Sequence, residues 1–193
     1  MNTIKQLDWD LMILLNDWGN DTVDLIFNII TYKYYAIPLY IALLYILYKK
    51  LSNKELLITL ISIALLVTIS DQLAVLFKNT LVQRLRPFRE PGLEGFISKV
   101  GKSGGTYGFY SGHASSAMAL AVYLWQHFKS SHRNLGIFMF VWAIAVAYSR
   151  VYLGVHYPGD VIMGMIMGSA IGYGCYRLYA FAKAKYFSEK TTS

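Results

Sequence analysis

The chain has 193 residues, a formal net charge of +7 and a single cysteine. Only 15% of its residues are charged and 55% are hydrophobic, against about 25% charged in an average soluble domain. With several long uncharged runs, this excludes an ordinary soluble protein and points to one membrane-embedded domain over residues 1–193. The lone Cys175 excludes an intramolecular disulfide and a cysteine-built zinc site. Basic residues scattered among apolar spans argue against nucleic acid as a partner.

Lys5 is followed by Asp8 and Asp10 rather than by an apolar core, so no cleaved signal peptide is expected. Residues 3–18 mix Leu, Trp and Met with Asp8, Asp10 and Asp17, the pattern of an amphipathic interfacial helix. Gly19-Asn20-Asp21-Thr22 is a turn with a helix-capping residue. Residues 22–32 form a second apolar stretch, too short for a perpendicular crossing of about 20 residues. Residues 1–33 are therefore expected to form N-terminal interfacial helices. Residues 34–182 are expected to form the helical core, with runs at 34–48, 55–77, 114–128, 134–149 and 160–182, and residues 183–193 a basic tail. The predicted fold is an all-α polytopic bundle of about five to six membrane helices. Gly164, Gly168 and Gly172, spaced by four in the last run, predict close helix packing.

Counting crossings places the polar connection 78–112 and the stretch 150–160 on one face. The other face receives Lys49, Lys50, Lys54, Lys129, Arg133, Arg177, Lys183, Lys185 and Lys190, nine of the 18 Lys and Arg residues. The positive-inside rule makes that face cytoplasmic and turns the polar segments outward, so the expectation is a plasma-membrane protein with an extracytoplasmic site.

Three polar clusters share the outward face. Lys78, Arg84 and Arg86-Pro87 follow a membrane run; Tyr110-Ser111-Gly112-His113 opens the next; Ser149-Arg150, His156 and Asp160 join the last two. Pro158 suits a helix's first turn, so Asp160 falls within reach of one His156 nitrogen and leaves the other free as a nucleophile. Arg150 offers a planar fork for phosphate. Ser111 and Gly112 offer backbone N–H groups at a helix N-terminus, a natural anion site. Two histidines within a cationic cup suit phosphoryl transfer, one in line and one at the leaving oxygen.

This arrangement resembles the type-2 phosphatidic acid phosphatase family, whose site is shared with vanadium haloperoxidases. Ser149-Arg150, five residues to His156 and three more to Asp160 match the family pattern in full. Ser111-Gly112-His113 matches with Tyr110 where proline is usual. Lys78 and Arg86-Pro87 match with seven intervening residues where six are usual. The resemblance covers about residues 55–182. It implies that His156 attacks phosphorus to form a phosphohistidine, that Asp160 orients it, and that His113 protonates the leaving alkoxide and then activates water. Lys78, Arg86, Arg150, Ser111 and Gly112 would hold the phosphoryl oxygens, with Arg84 and Asp71 as accessory candidates and no metal or other cofactor. The implied partners are the bilayer and a lipid phosphate: phosphatidic acid, phosphatidylglycerophosphate, undecaprenyl pyrophosphate or a lipid A phosphate. The alternative is a non-catalytic lipid-phosphate binder or transporter with the same pocket; a soluble haloperoxidase fits the apolar spans poorly.

Four lesser signals carry their own expectations. Asp71, one helical face along from Lys78, is expected to pair with Lys78 or an arginine. Gly95 to Ser103 fails as a phosphate-binding loop, because five residues separate the glycines where four are needed. Gly101–Gly108 is expected to be a mobile loop over the site, with Lys99 and Lys102 meeting an anionic headgroup. His127 and His132 are expected to be solvated beside the opposite-face loop.

Overall fold

The computed structural model describes residues 3–32, 34–101 and 104–187. Among them are seven α-helices and no strand: α1 (Thr3–Asn16), α2 (Asp21–Thr31), α3 (Ile37–Lys50), α4 (Asn53–Leu76), α5 (Gly112–Phe128), α6 (Arg133–Tyr152) and α7 (Pro158–Phe187). Local chemistry fixes several boundaries. Asn20 caps α2 through its side chain, and Ser52 with Glu55 closes a capping box on α4. Ser111 caps α5, its Oγ accepting from Ala114 N–H.

The bundle is organised around α5, which packs against α7, α6 and α4. Its inward residues Ala114, Ala119, Ala121, Tyr123 and Leu124 are buried. The glycine spacing in α7 has the expected consequence. A Cβ at Gly164, Gly168 or Gly172 would fall against the backbone carbonyls of Ser111, Ser115 and Ala119. Small residues thus repeat every four positions on both helices and let the backbones touch, the packing that works where lipid offers no hydrophobic drive.

Three helical segments are long and apolar enough to cross a membrane: Asn53–Leu81, Arg133–Tyr152 and Pro158–Tyr186. Leu57, Ile61, Ile162, Ile166 and Phe181 stand exposed on their outer faces, as lipid-facing residues do. The expected five to six crossings would need α3 and α5 as well, whose 14 and 17 residues rise about 21 and 25 Å and are shorter than those three. At 11 residues, α2 rises about 16 Å and does not span a core of about 30 Å.

The N-terminal helix is more than an interfacial float. Met12 is fully buried and Asp8 and Asn16 nearly so, because this face of α1 docks on α6 and α7. Asn16 accepts from Ser98 N–H at 2.7 Å and donates to Tyr152 O at 2.6 Å. Ile4, Leu7 and Leu14 remain exposed on the other side. Polar side chains do the docking because they have buried backbone groups to satisfy.

His127 departs from expectation. It is buried among the rings of Tyr123, Tyr176 and Tyr179, because α7 lays its tyrosines over the end of α5. His132 is exposed, as expected.

Candidate active site

The end of α6 explains how His156 is presented. Leu153 ends the helix, and Gly154 takes the left-handed conformation at φ 73°. Val155 N–H returns to Arg150 O at 3.2 Å and Gly154 N–H to Val151 O at 2.9 Å, the paired bonds of a Schellman motif. Glycine is required there twice over, since a Cβ would also strike Ser98 O at 2.9 Å. The chain then lifts His156 into the bundle, where it is 2% exposed. Pro158 begins α7, and the Asp160 carboxylate accepts from Tyr157 N–H at 3.1 Å, half of a capping box.

Asp160 is fully buried, with Oδ2 3.6 Å from His156 Nδ1. That is close contact rather than a hydrogen bond, and the Gly108 backbone lies against the same ring. On the far side of the ring, the Arg86 guanidinium lies 3.3 Å from Nε2. A guanidinium only donates, so Nε2 carries the lone pair and the proton sits on Nδ1, facing Asp160.

Arg86 is itself held. It donates to Val155 O at 3.0 Å and Tyr107 O at 3.1 Å, and its backbone N–H bonds Thr106 O. A short antiparallel bridge pairs Leu85 with Tyr107, and Gly108 N–H bonds Arg84 O. Thr106, Tyr107 and Gly108 of the loop expected to be mobile are therefore hydrogen-bonded to the Arg84–Arg86 segment. Gly108 lies so close that a Cβ would sit 3.1 Å from Asp160 Oδ2 and 3.6 Å from His156 Nδ1. Lys99 stacks over the Phe88 ring at 5.5 Å; Lys102 lies outside the described residues.

The extra residue between Lys78 and Arg86 has a structural answer. Residues Phe77–Leu81 form a π-helical turn, with Val82 N–H reaching Phe77 O at 2.9 Å. A wide turn absorbs one inserted residue without shifting the residues after it. Lys78 stays on target, since a Cβ on Gly112 would lie 3.6 Å from its Nζ. Tyr110, standing where the resemblance expects proline, is fully buried with its ring 5.4 Å from Phe77.

The structure brings the two histidines and three cations to one end of the bundle. The charges of Arg150, Lys78 and Arg86 act on both His113 and His156, and His156 acts on His113. His113, in the first turn of α5, is exposed, whereas His156 is not. Arg150 hydrogen-bonds Thr31 of α2, leaving its buried Nε without a partner. Burial, then Arg86, Arg150 and Lys78, hold His156 well below its usual pKa, so its imidazole is neutral at physiological pH.

Two accessory candidates take other places. Arg84 does not face the cup. Its guanidinium bonds Asp160 Oδ1 at 3.0 Å and Asp8 Oδ2 at 2.7 Å, and stacks 3.7 Å from the Tyr157 ring centre. The carboxylates capture it because they are buried and Arg84 is the cation that ion-pairs with both of them. Asp71 is exposed and makes no ion pair among the described residues, though its charge acts on Lys78. Sequence reading missed Asp8. It holds Arg84 and accepts from Gly159 N–H at 2.8 Å, so α1 braces the turn that carries Asp160. In the sequence it is one of three aspartates on an amphipathic stretch, and nothing local separates it from Asp10 and Asp17.

Residues 55–184 match the model of the PAP2 superfamily. The chain is 36% identical to a lipid A 4'-phosphatase of Bacteroides thetaiotaomicron, over 93% of this chain and 78% of that one. It is 32% identical to a lipid A 4'-phosphatase of Porphyromonas gingivalis, over 96% and 78%. Its fold resembles the crystal structure of a transmembrane PAP2-type phosphatidylglycerolphosphate phosphatase from Bacillus subtilis, with a TM-score of 0.71 and 24% identity across 97% of this chain and 90% of that one. The chain thus belongs to the PAP2 superfamily and is an integral membrane lipid phosphatase.

Proposed function

We propose that the chain hydrolyses a phosphomonoester on a membrane-anchored saccharide lipid, with lipid A 4'-phosphate the first substrate to test. Two relatives bearing that activity align over more than nine-tenths of the chain. The site opens at the extracytoplasmic boundary of the plasma membrane, where a lipid keeps its chains in the bilayer while its head enters the cup. The outward side also carries nine Lys and Arg residues, but four of them, Lys78, Arg84, Arg86 and Arg150, belong to the candidate site and its brace; the five that remain against nine on the other face support this sidedness.

One observation carries the mechanism: the lone pair of His156 Nε2 points at a guanidinium poised to bind oxyanions. An entering phosphoryl group takes Arg86 from Nε2 and fills the free donor positions of Arg150 and Lys78. Gly112 N–H and the Ser111 hydroxyl complete the cradle. Nε2 then attacks phosphorus, and the bond to the lipid oxygen breaks as His113 gives that oxygen its proton. The substrate's negative charge favours the protonated His113 this requires. In the second step His113 takes a proton from water, whose oxygen attacks phosphorus, and the P–N pair returns to Nε2. Asp160 stabilises the proton on Nδ1 throughout. Cations already surround the equatorial oxygens, so the steps run on the chain's own residues.

The test is phosphate release by the detergent-purified protein, with chelator present, from lipid A, phosphatidic acid, phosphatidylglycerophosphate and undecaprenyl pyrophosphate. The expected result is chelator-resistant release, highest with lipid A and lost in His156→Ala. Release abolished by chelator contradicts the mechanism; preference for another lipid contradicts the substrate.

A further inference from the structure

The end of the bundle opposite the active site holds a second polar cavity. It measures about 450 Å³, and its lining includes Lys50, Gln126, His127, Tyr176, Tyr179 and Lys183. It sits at the C-terminal end of α5, whereas the cup sits at its N-terminus; 17 residues of helix separate them by about 25 Å.

Its donors are unevenly satisfied. Lys183 is paired with Glu55 at 2.5 Å. Lys50 has no carboxylate among the described residues: its ammonium bonds only the His127 carbonyl and the Ser131 hydroxyl. An ammonium has three protons, so one donor and a full positive charge remain at the cavity. Gln126 has its carbonyl end bonded by Lys129 at 2.8 Å, which leaves its amide hydrogens. His127 is only 7% exposed, and its Nε2 has no hydrogen-bond partner. A buried ring nitrogen left unbonded is costly, and such orphans call for an explanation. Tyr176 and Tyr179 wall the cavity with rings suited to the membrane boundary.

We propose that this cavity binds the phosphate of an anionic phospholipid headgroup, at a site separate from the catalytic cup. Lys50 supplies the charge, Gln126 and His127 supply neutral donors, and the tyrosines and Ala180 flank the first carbons of the lipid. The cavity lies within the volume range of small-molecule sites, roughly 300–1,000 Å³. A phosphodiester suffices there, because His127 is the one imidazole lining the cavity among the described residues.

The test is thermal unfolding of the full chain in detergent, titrated with phosphatidylglycerol, phosphatidylcholine or inorganic phosphate. Phosphatidylglycerol is a diester and avoids turnover in the cup. It is expected to raise Tm saturably, with phosphatidylcholine inert. Lys50→Gln and Gln126→Glu are each expected to weaken the apparent affinity about ten-fold, as loss of a charge-assisted contact does. Reading the lipid-induced increment rather than the baseline separates binding from any effect of Lys50 on the α5 terminus. Arg177→Gln, an exposed charge outside the cavity, and Arg86→Gln, in the cup, are expected to leave the increment unchanged. A matching, Lys50-dependent shift with inorganic phosphate supports the site and makes free phosphate its ligand. No shift, equal affinity in wild type and Lys50→Gln, equal loss in Arg177→Gln, or loss only in Arg86→Gln overturns the proposal.

Discussion

Arg86 covers the nitrogen of His156 that must become the nucleophile, at 3.3 Å. Cation and nucleophile are held together until an oxyanion separates them. Removing the guanidinium therefore has two opposed effects: Nε2 is freed, and the phosphoryl group loses a donor. Transition-state charge decides the balance. Arg86→Gln is expected to lower kcat by about 10²-fold or more, the scale of losing an oxyanion donor. His113→Ala is expected to cost ~10²–10⁴ in rate, and His156→Ala to eliminate turnover. Single-turnover kinetics on the lipid substrate measure all three.

The chain Asp8–Arg84–Asp160 predicts a positioning effect at a distance from substrate. Arg84 touches Asp160 on the side away from His156, so Arg84→Gln should lower kcat with little change in KM. It should also leave the buried carboxylate short of a partner, costing about 1–3 kcal/mol of stability. Asp8→Asn should act in the same direction and more weakly. The double variant should be less impaired than the sum of the two, because both act through one network. Strict additivity would show that Asp8 and Arg84 do not act through a common contact.

The π-helical turn predicts tolerance where a length change is normally damaging. Deleting exposed Thr80 should convert the wide turn to an α-turn and keep Lys78 and Arg86 in place. The variant should retain activity within about ten-fold of wild type, since one wide turn is the same chain path with one residue removed. Inactive but folded protein, judged by circular dichroism and melting, would show that the wide turn itself sets Lys78.

The depressed pKa of His156 gives a signed pH dependence. Its folded form binds a proton less readily than the unfolded chain, whose histidine titrates near 6.5. Below about pH 6.5 the unfolded state therefore binds more protons, and stability falls as pH falls. Melting temperature should drop between pH 7.5 and 5.5 more steeply in wild type than in His156→Gln. The acid limb of kcat/KM should likewise lie below pH 6.5, because the free enzyme keeps its nucleophile neutral there. A limb above 6.5 would contradict the burial argument.

How much of this was legible beforehand divides along sequence distance. Ser149 to Asp160 could be read because a helix end, a glycine, a proline and the reacting groups fall within 12 residues, where local rules dictate geometry. The packing of Gly164, Gly168 and Gly172 was legible for the same reason. The brace from Asp8 was not, since its partners Arg84 and Gly159 lie 76 and 151 positions away and nothing local specifies the docking of α1. The extra residue between Lys78 and Arg86 could be counted, but where the backbone absorbs it is visible only in the π-helical turn at Phe77–Leu81. His127 was misplaced because nearness to a loop in sequence does not reveal the tyrosines that α7 lays over it. Asp71 was expected to pair, and its exposed position on α4 leaves it without a close cation among the described residues.

The covalent phosphoryl–histidine step is tested most directly by stereochemistry at phosphorus. Hydrolysis of an isotopically chiral thiophosphate monoester of the lipid substrate in labelled water gives a product whose configuration counts the displacements. Two in-line transfers, to His156 and then to water, predict net retention. Net inversion would mean that water attacks the substrate directly and that His156 never carries the phosphoryl group.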